Sequence, residues 1–185
     1  ALDPSELLTD PDQAVDFVKK TKVDALAIAM GTSHGAYKFT RKPDGEILAM
    51  HVIKAINEKM PHLHMVMHGS SAVPQELQDI INEFGGALPA DRGVPGGEDP
   101  GGLKDRGGKG NIDTDCRMAI TGQIRRVLSE NKAEFDPRKY LKPATDAMKA
   151  LCKQRYQEFG ADGRASKIKV TPISEMAKLY AAGKL

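Results

Sequence analysis

Val23-Asp24-Ala25-Leu26-Ala27-Ile28-Ala29-Met30, running directly into Gly31-Thr32-Ser33-His34-Gly35, is the stretch on which the fold turns. A nearly unbroken apolar run of this length is the pattern of a strand buried on both faces in a parallel sheet, whereas a half-exposed antiparallel strand would alternate. Upstream, Thr9-Asp10-Pro11 supplies a capping residue and a proline at the first helical position, and Ala14, Val15, Phe17 and Val18 continue a helix that ends near Lys19-Lys20-Thr21. Downstream, Leu48, Val52 and Ile56, with Ile53 and Met60 alongside, recur at helical spacing between Gly45 and Met60, and Pro61 stops them.

The cycle then repeats. Leu63-His64-Met65-Val66-Met67 reads as a short strand, His68-Gly69-Ser70-Ser71 as the turn after it, and Pro74 as the opening of a helix with an apolar stripe of Leu77, Ile80, Ile81 and Phe84, capped by Gly85-Gly86. A third copy is weaker: Asn111-Ile112-Asp113 stands as its strand end and Thr114 to Leu128 as its helix, with Ile120, Ile124, Val127 and Leu128 at suitable intervals, but the strand itself is hard to see. Residues 131–185 form a helical extension outside these units, with a long amphipathic segment from Asp136-Pro137 to Phe159, closed by Gly160, and a short helix from Ser174 to Ala182. Alternating strands and helices place residues 1–130 in the α/β class. Three βα units make a poor complete domain, since an eight-stranded barrel takes ~250 residues, so further strands are expected upstream.

Composition narrows the function classes. In 185 residues, 40% are hydrophobic and 28% charged, which excludes a disordered, collagen-like or coiled-coil chain. A formal charge of +2 is too small for a dedicated nucleic-acid or anionic-membrane binder. No apolar run reaches the ~20 residues of a membrane span, and Ala1-Leu2-Asp3-Pro4-Ser5 lacks the form of a signal peptide, so a cytoplasmic protein is expected. Cys116 and Cys152 lie in helical segments, without metal-ligand spacing, and read as reduced thiols with no chemistry of their own.

Chemistry concentrates at the strand ends. Thr32-Ser33-His34-Gly35 and Val66-Met67-His68-Gly69 each place His-Gly directly after a strand, and Asn111-Ile112-Asp113-Thr114-Asp115 follows the third. In a parallel barrel all strand C-termini open on one face, so these ends converge there. A neutral imidazole is a common zinc ligand, and a catalytic zinc takes three protein ligands, so two histidines make a partial site. The adjacent glycines let the backbone approach a ligand closely, N–H groups at such a turn cradle phosphate, and Ser70, Ser71 and Thr114 add hydroxyl donors. A single His-Gly after a strand reads more often as a turn with a hydrogen-bonded histidine; two in register, with Asn-x-Asp at the third, favour a site. His51, mid-helix and partly exposed, and His62 and His64 find no such partners and read as structural. Gly102 to Lys109 has no phosphate-loop register, and no dinucleotide fingerprint follows a strand.

Gly31-Thr-Ser-His-Gly-Ala-Tyr-Lys38, Val66-Met-His-Gly-Ser-Ser71 and Asn111-Ile-Asp-Thr-Asp115, in this order and at these spacings, resemble the C-terminal half of class II, zinc-dependent fructose-1,6-bisphosphate aldolases, most of all the type found in autotrophic bacteria. Asp136-Pro137-Arg138 and the helical extension also fit. The resemblance implies a (β/α)8 TIM barrel of which this chain holds roughly the last three βα units plus the extension. It implies that His34 and His68 ligate Zn2+ or another divalent metal, and that Gly35, Gly69, Ser70 and Ser71 bind the dihydroxyacetone-phosphate end of the substrate. Asn111, Ile112, Asp113 and Thr114 complete that pocket, Lys38 lies beside the metal loop, and a monovalent cation near the phosphate site is a second expectation. Arg138 matches an arginine that reaches the other phosphate across a dimer interface; by itself it reads equally as a helix-start surface residue.

The implied reaction is aldol cleavage and condensation of fructose 1,6-bisphosphate, in glycolysis, gluconeogenesis and the Calvin cycle, by a homodimer or higher oligomer without nucleic-acid or membrane partners. The general-base aspartate and two more zinc ligands of the family belong to its N-terminal half, so no catalytic base is expected in this chain. Tagatose-bisphosphate aldolase is the alternative substrate assignment. An inactive half-barrel fragment, contributing only to a phosphate or zinc site and prone to associate through an unpaired sheet edge, is the alternative of another class. The chain departs from the family between Gly96 and Gly110, where seven glycines and Pro100 replace the apolar positions of an expected helix, and Gly110 stands where an apolar residue is expected.

Overall fold

The computed structural model describes residues 8–31, 49–68, 72–89 and 108–183. Helix α1 (Pro11–Thr21) starts as the sequence predicts: Asp10 Oδ1 accepts from the backbone N–H groups of Asp12 and Gln13, both at 2.9 Å, and Pro11 occupies the first turn. Lys22 then turns the chain in the left-handed conformation, and Thr9 ties the entry of α1 to Ala29, each accepting a backbone N–H of the other. Strand β1 (Ala25–Ile28) follows, then α2 (Met50–Lys59), β2 (His64–Met67), α3 (Gln75–Glu83) and β3 (Lys109–Gly110). The order among the described strands is β1-β2-β3, all parallel, with Ala25 opposite His64, Ile28 opposite Met67, and Gly110 also opposite Met67. Strand-helix-strand connectivity with parallel pairing is the α/β class that the first apolar run predicts.

The register separates two faces. Leu26, Ile28, Met65 and Met67 point toward α1 and α2, where they join Ala14, Val18, Val52, Ile53, Ile56 and Leu63 in one apolar core. Ala25 and Ala27 point the other way and are exposed. The expectation of a strand buried on both faces is therefore corrected: β1 is at the edge of the described sheet, and nothing described covers its Ala25–Ala27 face. The run is apolar throughout, but only one of its two faces is packed here.

The third unit is present in reduced form. β3 has two residues, and Asn111 N–H still donates to Met67 O at 3.2 Å, so the chain stays paired with β2 one residue beyond the strand. Asn111-Ile112-Asp113 thus follows the strand rather than ending it. Gly110 pairs through its backbone and needs no side chain to do so. Residues 90–107, which include most of the glycine-rich segment, lie outside the described residues, as do 45–48 at the start of the predicted second helix.

Helix α4 (Thr114–Glu130) and helix α5 (Pro137–Glu158) pack along one another, and α4 also packs on α3. The face of α4 that is buried is Asp115, Met118, Ala119 and Gly122, not the predicted Ile120, Ile124, Val127 and Leu128, of which Leu128 is exposed. Gly122 lets α4 approach α3 closely: a Cβ there would come within 2.9 Å of Ile80 Cγ2. Gly86 closes α3 by donating to Ile81 O at 2.7 Å, after Gly85 at φ +86°, as the Gly-Gly pair predicts. A short 3-10 turn (Ala165–Lys167) and α6 (Ile173–Ala181) end the described chain. No helix among the described residues is long and apolar enough to cross a membrane.

Candidate functional site

The C-terminal ends of β2 and β3 lie side by side because the strands are parallel, and the residues that follow them meet. His68 follows Met67, Asn111 follows Gly110, and Asn111 Nδ2 lies 3.3 Å from His68 Nδ1. Both side chains are half-buried. A neutral imidazole has one N–H and one lone pair. With the Asn111 amide nitrogen facing Nδ1, the ring proton sits on Nε2; with the amide carbonyl turned to Nδ1, the proton is held there and Nε2 keeps its lone pair for a ligand. A carbonyl that accepts the ring's other N–H and so fixes the tautomer is the usual partner of a metal-bound histidine. In the structure the amide nitrogen faces Nδ1, so His68 fits as a metal ligand through Nε2 once the Asn111 amide is turned to present its carbonyl.

Among the described residues no group of three or more His, Cys, Asp and Glu side chains is placed to hold a metal ion. His34, Gly35, Lys38, Gly69, Ser70 and Ser71 lie outside the described residues. Of the predicted site residues, the structure thus brings together His68 and Asn111, with Ile112, Asp113 and Thr114 in the same connection. Asp113 is exposed and forms an ion pair with Arg117 on the first turn of α4, at 2.7 Å. Thr114 opens that helix.

Arg138 stands in the first turn of α5, its side chain 89% exposed. Asp136 caps this helix: its Oδ1 accepts Arg138 N–H at 3.0 Å, and its carboxylate also accepts from Arg138 Nε and Nη2. The Arg138 hydrogen bonds hold the Asp136 carboxyl below its ordinary range, and Asp136 raises Arg138 in turn. The helix-start reading and an outward-facing guanidinium are both present in this one residue. His51 proves to be the second residue of α2 rather than a mid-helix position; it, His62 and His64 are exposed.

Two side chains that the sequence reading left out of the site stand directly behind it. Asp115 is completely buried, accepts the backbone N–H groups of Ala72 at 3.2 Å and Val73 at 2.9 Å, and pairs with Arg155 Nη2 at 3.0 Å. Arg155 also pairs with Glu158. Burial works against the Arg155 charge, and the two carboxylates more than offset it, so its pKa is raised. The only sequence signal for Asp115 is its place in the Asn111–Asp115 motif; Arg155, one cation among many on an amphipathic helix, has none. Cys116 and Cys152 are free and half-buried as expected, but they line one cavity of about 200 Å³ with Gly110, Ile112, Arg155, Tyr156 and Phe159, a proximity the sequence did not show. Burial and the neighbouring Cys152 push the Cys116 thiol up to about 11.

Comparison with known proteins agrees with the motif order. The chain is 68% identical over 184 residues to fructose-bisphosphate aldolase 2 of Cereibacter sphaeroides, covering 100% of this chain and 52% of that protein. It is 58% identical to the fructose-bisphosphate aldolase of Sinorhizobium medicae (strain WSM419), again over 100% of this chain and 52% of the relative. The chain thus spans about half the length of the curated relatives it matches. A crystal structure of a Coccidioides immitis protein described as a fructose-1,6-biphosphate aldolase superposes with a TM-score of 0.54 at 23% identity, over 87% of this chain and 46% of that one, and so shares the fold. Residues 2–164 match the class-II fructose-bisphosphate aldolase family, and the chain belongs to that family.

Proposed function

We propose that this chain forms the C-terminal portion of a (β/α)8 barrel that cleaves and condenses fructose 1,6-bisphosphate, yielding dihydroxyacetone phosphate and glyceraldehyde 3-phosphate. The observation that carries the reading is the 3.3 Å approach of His68 and Asn111 at adjacent parallel strand ends, where a barrel places its chemistry, within a chain of this family. A complete barrel also accounts for the uncovered Ala25–Ala27 face, which opposing strands would fill. In this reading residues 1–130 belong to the barrel and 131–185 to a helical extension, the general base and further metal ligands come from upstream sequence, and the enzyme is a cytoplasmic homodimer or larger.

His34 and His68 would hold a divalent zinc, which supplies Lewis-acid polarisation of the substrate ketone when bound. With its carbonyl turned to Nδ1, Asn111 would fix the His68 tautomer and leave its amide N–H groups to face the charge that develops on the substrate oxygens. Gly35, Gly69, Ser70, Ser71 and Thr114 would bind one phosphate, with Lys38 and a monovalent cation nearby, and Asp113 a substrate hydroxyl. The exposed Arg138 offers a guanidinium suited to bidentate capture of the other phosphate. Holding both ends fixes the reacting carbon relative to the site, which is where much of the rate of such a reaction originates.

The test is a chimera that joins this chain to the N-terminal half of the Cereibacter sphaeroides relative. It should release triose phosphate from fructose bisphosphate in preference to tagatose bisphosphate, and His68→Ala should lower the rate about 1,000-fold, the equivalent of several kcal/mol of lost polarisation. Full activity of His68→Ala would overturn the site. Preference for tagatose bisphosphate would reassign the substrate.

A further inference from the structure

We infer that Asp115 and Arg155 are positioning residues that join the helical extension to both strand ends of the site; the inference rests on the aldolase reading and adds residues to it. Asp115 is the second residue of α4, two beyond Asp113 and four beyond Asn111, so it is carried by the connection that brings Asn111 to His68. Its carboxylate reaches the other connection, the one after β2, through Ala72 and Val73. One side chain therefore fastens the segment after His68 to the segment after Gly110.

The backbone it holds is not relaxed. Val73, a β-branched residue 3% exposed, has φ +47°, a conformation such residues rarely adopt and keep only where their surroundings over-determine it. Here Asp115 Oδ1 accepts its N–H, and Gln78 Nε2 donates to its carbonyl at 3.0 Å. A carboxylate with no exposure would be a heavy burden alone, and Arg155 supplies the counter-charge from α5. The helical extension is thus part of the apparatus that sets the β2–α3 connection, rather than a surface addition.

Loss of the anchor should weaken substrate holding more than it slows the chemical step. In the chimera, Asp115→Asn replaces an acceptor oxygen by a donor facing N–H groups; KM for fructose bisphosphate should rise about tenfold while kcat stays within about threefold. Arg155→Met should do the same, and Arg155→Lys, which keeps the charge, should recover most of the loss. Amide hydrogen exchange at Ala72 and Val73 should accelerate about 100-fold in Asp115→Asn and Arg155→Met, since their acceptor is removed or freed. Leu151→Ala, on the same helix but outside the polar network, should lower the melting temperature and leave KM and these two amides unchanged.

If the Asp115 and Arg155 variants lose only melting temperature, with KM and both amides like those of Leu151→Ala, the pair is structural and the inference falls. Should Asp115→Asn not fold, the Arg155→Lys and Arg155→Met pair decides alone. A chimera inactive throughout would overturn the aldolase reading, while the exchange of Ala72 and Val73 would still decide the anchoring.

Discussion

The packing of α1 and α2 on the sheet and the packing of α3, α4 and α5 on one another use different materials. The first region is apolar: ten buried residues, among them Ile56 and Met30 with no exposure at all, fill the space between helices and strands. In the second, the buried apolar cluster is Val73, Ile81 and Met118, with Ala119, Ala144 and Leu151 also buried, and the buried polar groups Gln78, Asp115 and Arg155 lie among them. Apolar packing is non-directional and tolerates small shifts, whereas a buried carboxylate bonded at three points fixes the groups around it. Ala72 and Val73 after β2, and the Asn111–Asp115 stretch after β3, on which the proposed site lies, are attached to the second region. On the inference drawn above, the apolar region chiefly contributes stability and the polar groups chiefly contribute positional control.

The largest effect is expected in the apolar region. Ile56→Ala in the chimera should cost about 2–5 kcal/mol, read by chemical denaturation, because a fully buried side chain leaves a cavity in a region with no compensating bonds. KM should not move, and a large rise would show that the first core also positions the site. A smaller effect is expected at the crossing of α3 and α4. Gly122→Ala gains helix propensity of about 1 kcal/mol but drives its Cβ to 2.9 Å from a stiff, β-branched Ile80 side chain, so a net loss of about 1 kcal/mol is expected. A stabilised Gly122→Ala variant would show that these helices have room to separate.

The smallest effect lies between the cysteines. Because the Cys116 thiol is held near 11, above its ordinary 9.0, folding favours the protonated form. Its contribution is fully present below about pH 9 and is lost as pH rises through about 11, so thermal stability should decline over that window and do so less in Cys116→Ala. For the same reason Cys116 should resist alkylation by iodoacetamide near neutral pH, since the thiolate is the reactive form. Rapid labelling at pH 7 would contradict the burial that sets this shift.

Most of the first two units was legible from sequence, for reasons particular to them. Asp10-Pro11 caps α1, the Val23–Met30 and Leu63–Met67 runs contain β1 and β2, and Gly85-Gly86 closes α3, because each signal acts over a few residues. Reading failed where burial depends on a distant partner. The Ala25–Ala27 side of β1 is apolar yet exposed, and α4 buries Asp115, Met118, Ala119 and Gly122 in place of its larger aliphatic residues, because α3 and α5 approach that side. β3 was scarcely visible, since Lys109-Gly110 enters the sheet by backbone pairing that no side-chain pattern announces.

The site divides along the same line. His68, Asn111 and the motif around them were recognisable from residue order alone, as was the capped start of α5 at Asp136-Pro137-Arg138. That His68 and Asn111 touch, that Cys116 and Cys152 share a cavity, and that Asp115 meets Arg155 from 40 residues away were decided only by tertiary structure. Sequence determines local hydrogen bonding and periodicity, which operate within a helical turn or a strand. Which polar group meets which across the fold depends on how strands register and helices cross, and those are properties of the packed chain.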